Sequence, residues 1–121
     1  AYATAAALWQ AKKLSQARTY AQKAISFNEN YGEPYILLAQ MYGSNPNWSD
    51  EPALNRCTYY VVIDKLQRAK AVDPSVTDKV NELIATYARH TPQAKDLFML
   101  GYKAGDRITI GGWIGESTTI R

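Results

Sequence analysis

The chain has 121 residues, enough for one domain with a continuous core. Hydrophobic residues make up 46% of it and charged residues 21%, and its nine tyrosines and three tryptophans argue against a disordered chain. The formal net charge of +3 comes from scattered lysines and arginines, so we expect no nucleic-acid partner. No apolar run approaches the roughly 20 residues that span a bilayer, so we expect no membrane insertion.

Apolar residues recur at steps of three and four along most of the chain, a pattern that predicts a series of one-sided helices. Pro34 suits the first turn of a helix, whereas Pro74 and Pro92 end helices because the residue before a proline leaves the helical region. Ser15 is the expected cap of the second helix, and residues 43–50 are an expected loop. The predicted helices cover residues 2–13, 16–27, 34–43, 52–72, 76–90 and 93–100.

The last sixteen or so residues change character, because β-branched residues and glycines replace the helical pattern. We expect a β-hairpin whose two-residue turn lies at 115–116, since glycine at the first turn position suits a type II′ turn. This register pairs Trp113 with Thr118. A lone hairpin is marginal in water, so we expect it to pack on the last helices. The chain therefore divides into a helical domain, residues 1–105, and a hairpin tail packed on it, residues 106–121.

An internal repeat supports the helical interpretation. An offset of 45 residues aligns Leu38 with Leu83 and Tyr42 with Tyr87. Further pairs at the same offset are Ala17 with Val62, Ala21 with Leu66, and Ala24 with Ala69. A shared offset between several pairs is a stronger indication of a repeat than any single match.

These positions resemble the tetratricopeptide repeat, a helix–turn–helix unit of about 34 residues. The residues that match its pattern are Tyr35, Leu38, Ala39 and Tyr42 in one first helix, and Val62, Leu66, Ala69 and Pro74 in one second helix. Glu29 stands where the closing proline is expected, and the 45-residue offset leaves about 11 extra residues, which we place at the 43–50 loop and the start of the fourth helix. The resemblance covers residues 1–90, and other α-solenoids have compatible spacings.

The resemblance implies a mainly α fold: a tetratricopeptide-like α–α superhelix of about five to six antiparallel helices, ending in the short β-hairpin. It also implies a scaffold module that binds a protein or peptide through its concave face. The residues that this assigns to the concave face are Tyr2, Trp9, Gln10, Glu33, Ile36, Gln40, Asn81, Glu82 and Arg89. An exposed Trp9 or Ile36 would anchor a partner, the alternative being that Trp9 packs inside. The lysine–asparagine clamp by which some family members hold a peptide carboxylate is not present at these places.

No residues have the spacing of a catalytic or metal site. His90 is the only histidine and Cys57 the only cysteine, and they lie 33 residues apart on different predicted helices. We interpret His90 as complementing a helix dipole and Cys57 as a small packed residue. The glycines at 101–105 and 111–115 do not precede a helix that carries a lysine and a hydroxyl in the fixed places of a phosphate loop. We therefore expect no catalytic residue, no metal, no cofactor and no enzymatic activity.

An alternative function is a structural or self-assembly element of a larger cell-envelope protein. In that case an open strand edge at 118–121 would mediate self-association. The C-terminal sequence is similar to the ends of repeat proteins from Bacteroidota, which implies an envelope setting. The chain shows no leader sequence, and we expect it to be a piece of a longer protein.

Overall fold

Helices, the 3-10 segment included, make up 63% of the residues that the structure describes, so the fold is mainly α, with a short antiparallel sheet near the C-terminus. A computed structural model describes residues 2–121. The helices are α1 (Tyr2–Gln10), α2 (Leu14–Phe27), α3 (Glu33–Ser44), α4 (Pro52–Arg56), α5 (Thr58–Val72), α6 (Thr77–Ala88) and α7 (Ala94–Met99), and the strands are β1 (Arg107–Thr109) and β2 (Ser117–Thr119). A 3-10 turn at Pro74–Val76 precedes α6. None of the helices described is long and apolar enough to cross a membrane.

The predicted helices are present, but several boundaries differ. The first helix ends at Gln10 instead of at residue 13, and α6 ends at Ala88 instead of at residue 90. The predicted fourth helix is interrupted at Cys57, which separates α4 from α5. The predicted cap at Ser15 is wrong, because α2 begins at Leu14, two residues earlier than predicted, and its N-cap residue, Lys13, makes no side-chain capping bond. Pro34 is the second residue of α3, as its fixed φ angle predicts.

The core is centred on α3 and α5, which pack against each other more extensively than any other two elements. The second-helix positions related by the 45-residue offset are buried in both copies. Ala21 and Leu66 are both 0% exposed, although one side chain is small and the other large. Small residues on α2 let it lie close to α1 and α3, its packing partners. The repeat pattern thus identifies the interior face of these helices.

The turn between α2 and α3 contacts the turn between α5 and α6. The Gly32 N–H donates a hydrogen bond to the Asp73 carboxylate at 2.9 Å, and Ser75 donates to the same carboxylate through its backbone N–H and its hydroxyl. A side chain at Gly32 would place its Cβ 2.9 Å from the Val76 side chain, so this approach requires glycine. The bonds from Ser75 and Gly32 lower the pKa of Asp73 below its ordinary value.

The Asp73 carboxylate should make the stability of the fold depend on pH in the acidic range. Because the pKa of Asp73 is lower in the folded chain than the unfolded value of 3.8, its contribution is complete above that pH and is lost as the pH falls through the folded pKa. We expect Asp73→Asn to melt a few degrees below the wild type at neutral pH, with the difference closing below about pH 4. Thermal melts from about pH 3 to pH 7 would measure this.

Asp106 also has a lowered pKa, because the Lys103 backbone N–H and ammonium donate to it. Asp106 is present in the wild type and in Asp73→Asn, so its contribution to the pH dependence of stability cancels when the two are compared. A melting difference between wild type and Asp73→Asn that stayed constant across the pH range would contradict the role given to Asp73.

The tail forms the predicted β-hairpin, but the predicted register is wrong. Ile108 pairs with Thr118, and residues 110–116 connect the strands instead of a two-residue turn at 115–116. In this arrangement the four isoleucines of the tail are buried, at 5% exposed or less: Ile108, Ile110, Ile114 and Ile120. Burial of these four side chains, rather than local turn preference, accounts for the observed register.

The tail packs on α3 and α5 in the middle of the helical domain and also lies beside α7, so the expectation that it packs on the last helices is confirmed only in part. Glu116 reaches α3, where it accepts a hydrogen bond from the Tyr42 hydroxyl at 2.5 Å. Thr118 of β2 donates to Asp64 of α5 at 2.7 Å, and Arg121 pairs with the same carboxylate. These polar partners on α3 and α5 fix the position of the tail.

Candidate interaction groove

Side chains from α1 and α3 line one open groove of about 600 Å³. On α1, Tyr2, Ala6 and Trp9 are spaced at i, i+4 and i+7, so they lie on the same helix face. Gln40 projects into the groove from α3, opposite this face. We call this the α1–α3 groove, and its lining residues are Tyr2, Ala6, Trp9, Gln10, Lys12, Leu14, Leu37, Gln40, Ser44 and Asn45.

Two aromatic residues give the groove its apolar surface. Tyr2 and Trp9 are both half-buried, with part of each ring packed on the core. Tyr2 lies edge-on to Tyr31, with ring centroids 5.8 Å apart. Burial, reinforced by the nearby Glu33 carboxylate, raises the pKa of Tyr2, so its hydroxyl remains a neutral hydrogen-bond donor at physiological pH.

The polar part of the groove consists mainly of amide side chains. Gln10 is exposed and Gln40 is half-exposed. Asn45 is held in place by a hydrogen bond from its Nδ2 to the Met41 carbonyl at 3.2 Å. An amide side chain can donate and accept at once, as a peptide group can. The groove therefore offers aromatic contact area together with groups that match an extended backbone.

Four of the nine residues expected on a concave face meet in this groove: Tyr2, Trp9, Gln10 and Gln40. Trp9 combines the two alternatives considered for it, because one part of its ring packs against the core and the other faces the groove. The expectation that Ile36 is an exposed anchor is wrong, since this residue is 1% exposed. The reason is that α3 is buried on nearly all sides, so its apolar residues cannot reach the surface.

The other four expected residues lie outside the groove lining. Glu33 pairs with Lys79 of α6 at 3.2 Å, and Asn81 accepts a hydrogen bond from Lys70 at 3.0 Å. Glu82 and Arg89 are exposed on α6 and directly after it.

Lys12 is a groove residue that the sequence patterns did not identify. It follows α1 with a φ angle of 62°, in the left-handed region. The Lys12 N–H donates to the Trp9 carbonyl and the Lys13 N–H to the Leu8 carbonyl, both at 2.8 Å, which is the hydrogen-bond pattern of a Schellman motif. Such a motif ordinarily has glycine in this conformation, so a lysine there gives no sequence signal.

Cys57 and His90 are in different environments. Cys57 is 0% exposed, and burial raises the pKa of its thiol to about 11, which keeps it neutral at physiological pH. His90 is exposed, with its ring 5.2 Å from that of Tyr59. Within residues 2–121 no group of three or more His, Cys, Asp and Glu side chains is placed to hold a metal ion.

A second concave surface lies between α7 and the tail, where Phe98 and Met99 are 76% and 84% exposed. Its lining is apolar apart from Lys95, Lys103 and Arg121. Two of these cations are already paired, Lys103 with Asp106 and Arg121 with Asp64. No amide side chain lines this surface, in contrast to the α1–α3 groove.

Comparison with known proteins gives no match: no family model fits the chain, and searches of curated proteins and of solved structures find nothing similar. The resemblance to tetratricopeptide repeats therefore stays a prediction. The function has to be argued from the groove and its chemistry.

Proposed function

We propose that the chain is a protein-interaction module that binds an extended peptide segment in the α1–α3 groove. The observation that carries this proposal is the alignment of two half-buried aromatic residues, Tyr2 and Trp9, with the amides of Gln10, Gln40 and Asn45 along one open surface. Aromatic residues are frequent anchors of protein interfaces, because they present large contact areas that lose little conformational entropy on binding. Amides satisfy backbone N–H and C=O groups that would otherwise lose water.

We further propose that the helices form a tetratricopeptide-like superhelix in which α1 and α3 are the first helices of two successive pairs. Packing supports this proposal, since α1 lies against α2 and α3 lies against α5. The burial of both copies of the offset positions, such as Ala17 and Val62, supports it further. In such an array the first helices line the inner surface, which is where the α1–α3 groove would then be.

The proposal can be tested with a phage-displayed library of unstructured peptides. We expect wild-type protein to enrich binding peptides, and the double variant Gln10→Ala/Gln40→Ala to bind those peptides about ten times more weakly. Loss of two hydrogen-bonding amides at about 0.5–1.5 kcal/mol each accounts for this factor. Fluorescence polarisation with the synthesised peptides would give both dissociation constants.

The matched control is Asn81→Ala/Arg89→Ala, which alters two residues outside the groove. We expect it to bind the selected peptides as the wild type does, and circular dichroism would verify that both double variants are folded. Failure of the wild type to enrich any peptide would refute the proposed function. Peptides that bind the groove variant normally but lose affinity for the control would move the binding surface to α6.

A further inference from the structure

Lys12 has an unusual backbone conformation for a lysine. Among residues 2–121 it is the single residue other than glycine with a positive φ angle. The left-handed conformation is costly for residues that carry a Cβ, and glycine is the usual occupant of this position in a Schellman motif. Glycine at position 12 would fit the same turn without that cost. The presence of a lysine here therefore points to a role for its side chain.

The surroundings of Lys12 leave its charge available to a ligand. It is exposed and lines the α1–α3 groove, whose described lining includes no acidic side chain. The ion pairs found within residues 2–121 do not include Lys12. Near the other end of α1, the Glu33 carboxylate is already paired with Lys79. The groove thus carries one cation, located at the C-terminal end of α1.

We propose that Lys12 makes the groove selective for peptides that carry an aspartate or glutamate side chain, an inference that rests on the proposed peptide-binding function. Lys12 and Trp9 both line the groove, so one ligand segment can contact both. The bound segment then has an apolar residue over Trp9 and an acidic residue beside it. Charge complementarity of this kind determines which partners are accepted more than it raises overall affinity.

The test uses peptides selected by the wild type, synthesised with acetylated N-termini and amidated C-termini so that only side chains carry carboxylates. Each acidic peptide is compared with its Glu→Gln or Asp→Asn counterpart. We expect the wild type to bind the acidic form about ten times more tightly at low salt, and the ratio to shrink as salt screens the charge. In Lys12→Gln we expect the ratio to approach one.

Two variants separate selectivity from folding. Lys13→Gln removes the neighbouring exposed lysine, which does not line the groove, and should keep the wild-type ratio. Lys12→Gly should melt no lower than the wild type, because glycine favours the left-handed conformation of this turn. It should still lose the preference for acidic over amide peptides.

Equal binding of acidic and amide peptides by the wild type would overturn the inference while leaving the peptide-binding function intact. A preference that persists in Lys12→Gln and Lys12→Gly would overturn it as well. Absence of binding by every peptide would refute the proposed function itself, and selectivity with it.

Discussion

Replacing Glu116 with alanine should lower the free energy of unfolding by about 2–3 kcal/mol. Its carboxylate accepts a hydrogen bond from the Tyr42 hydroxyl at 2.5 Å and pairs with Lys65 at 2.7 Å and with Arg18 at 3.7 Å. Without the carboxylate, the two cations would lie close together without a counter-charge, and the buried Tyr42 would lose an acceptor. The Glu116 side chain is 22% exposed, so water partly screens the loss, and the expected value is below that of a fully buried pair.

Urea unfolding followed by circular dichroism would measure this change. The matched control is Glu82→Ala, which removes an exposed carboxylate from α6 and should change stability by less than about 0.5 kcal/mol. A double-mutant cycle with Tyr42→Phe should give a coupling energy above about 0.5 kcal/mol, because the two side chains are in direct contact. If Glu116→Ala were as stable as the control variant, the contacts of Glu116 with Tyr42, Lys65 and Arg18 would not be what holds the tail on the helices.

Local sequence features were sufficient to predict most of the helices. The residue before Pro74 ends α5 as the steric argument requires, and Pro34 falls in the first turn of α3. The 45-residue offset also selected interior residues correctly, as Ala21 and Leu66 show. Periodicity succeeds here because the side of a helix that faces the core is determined by the order of its own residues.

The hairpin register depended on contacts that sequence proximity cannot show. Glycine at position 115 favoured a two-residue turn, and Gly115 does have a positive φ angle, of 61°. The register nevertheless depends on contacts outside the turn, since Glu116 accepts a hydrogen bond from Tyr42, which lies 74 residues earlier in the sequence. Local turn preference is worth less than the burial of several isoleucines together with such a network. Non-local side-chain contacts are therefore the part of this fold that the sequence did not reveal.

The candidate site was predicted in part, for similar reasons. The resemblance assigns Trp9 and Gln40 to one surface, and both residues line the α1–α3 groove. The prediction of an exposed Ile36 was wrong because the sequence pattern does not show that α3 is enclosed by its neighbours on several sides. Lys12 was missed because a left-handed lysine looks like any surface lysine in the sequence.

Leu66→Ala should destabilise the fold strongly, with an expected loss of about 2–5 kcal/mol of unfolding free energy. Leu66 is 0% exposed on α5, the helix that packs against α3, α6 and β2. Truncation removes buried apolar surface and leaves a cavity that these neighbours can close only in part. For a domain whose total stability is about 5–15 kcal/mol, this is a large fraction. Urea unfolding would give the value from the shift of the midpoint at constant slope.

Two further variants serve as controls for the stability loss of Leu66→Ala. Leu66→Met keeps nearly the same volume and should cost less than about 1.5 kcal/mol, whereas Gln67→Ala, at an exposed neighbouring position, should cost less than about 0.5 kcal/mol. A graded series from Gln67→Ala through Leu66→Met to Leu66→Ala would show that packing around α5 contributes a large part of the stability of the fold. Comparable small losses in all three variants would mean that packing around Leu66 is not a main source of the stability of the fold, in spite of the complete burial of this side chain.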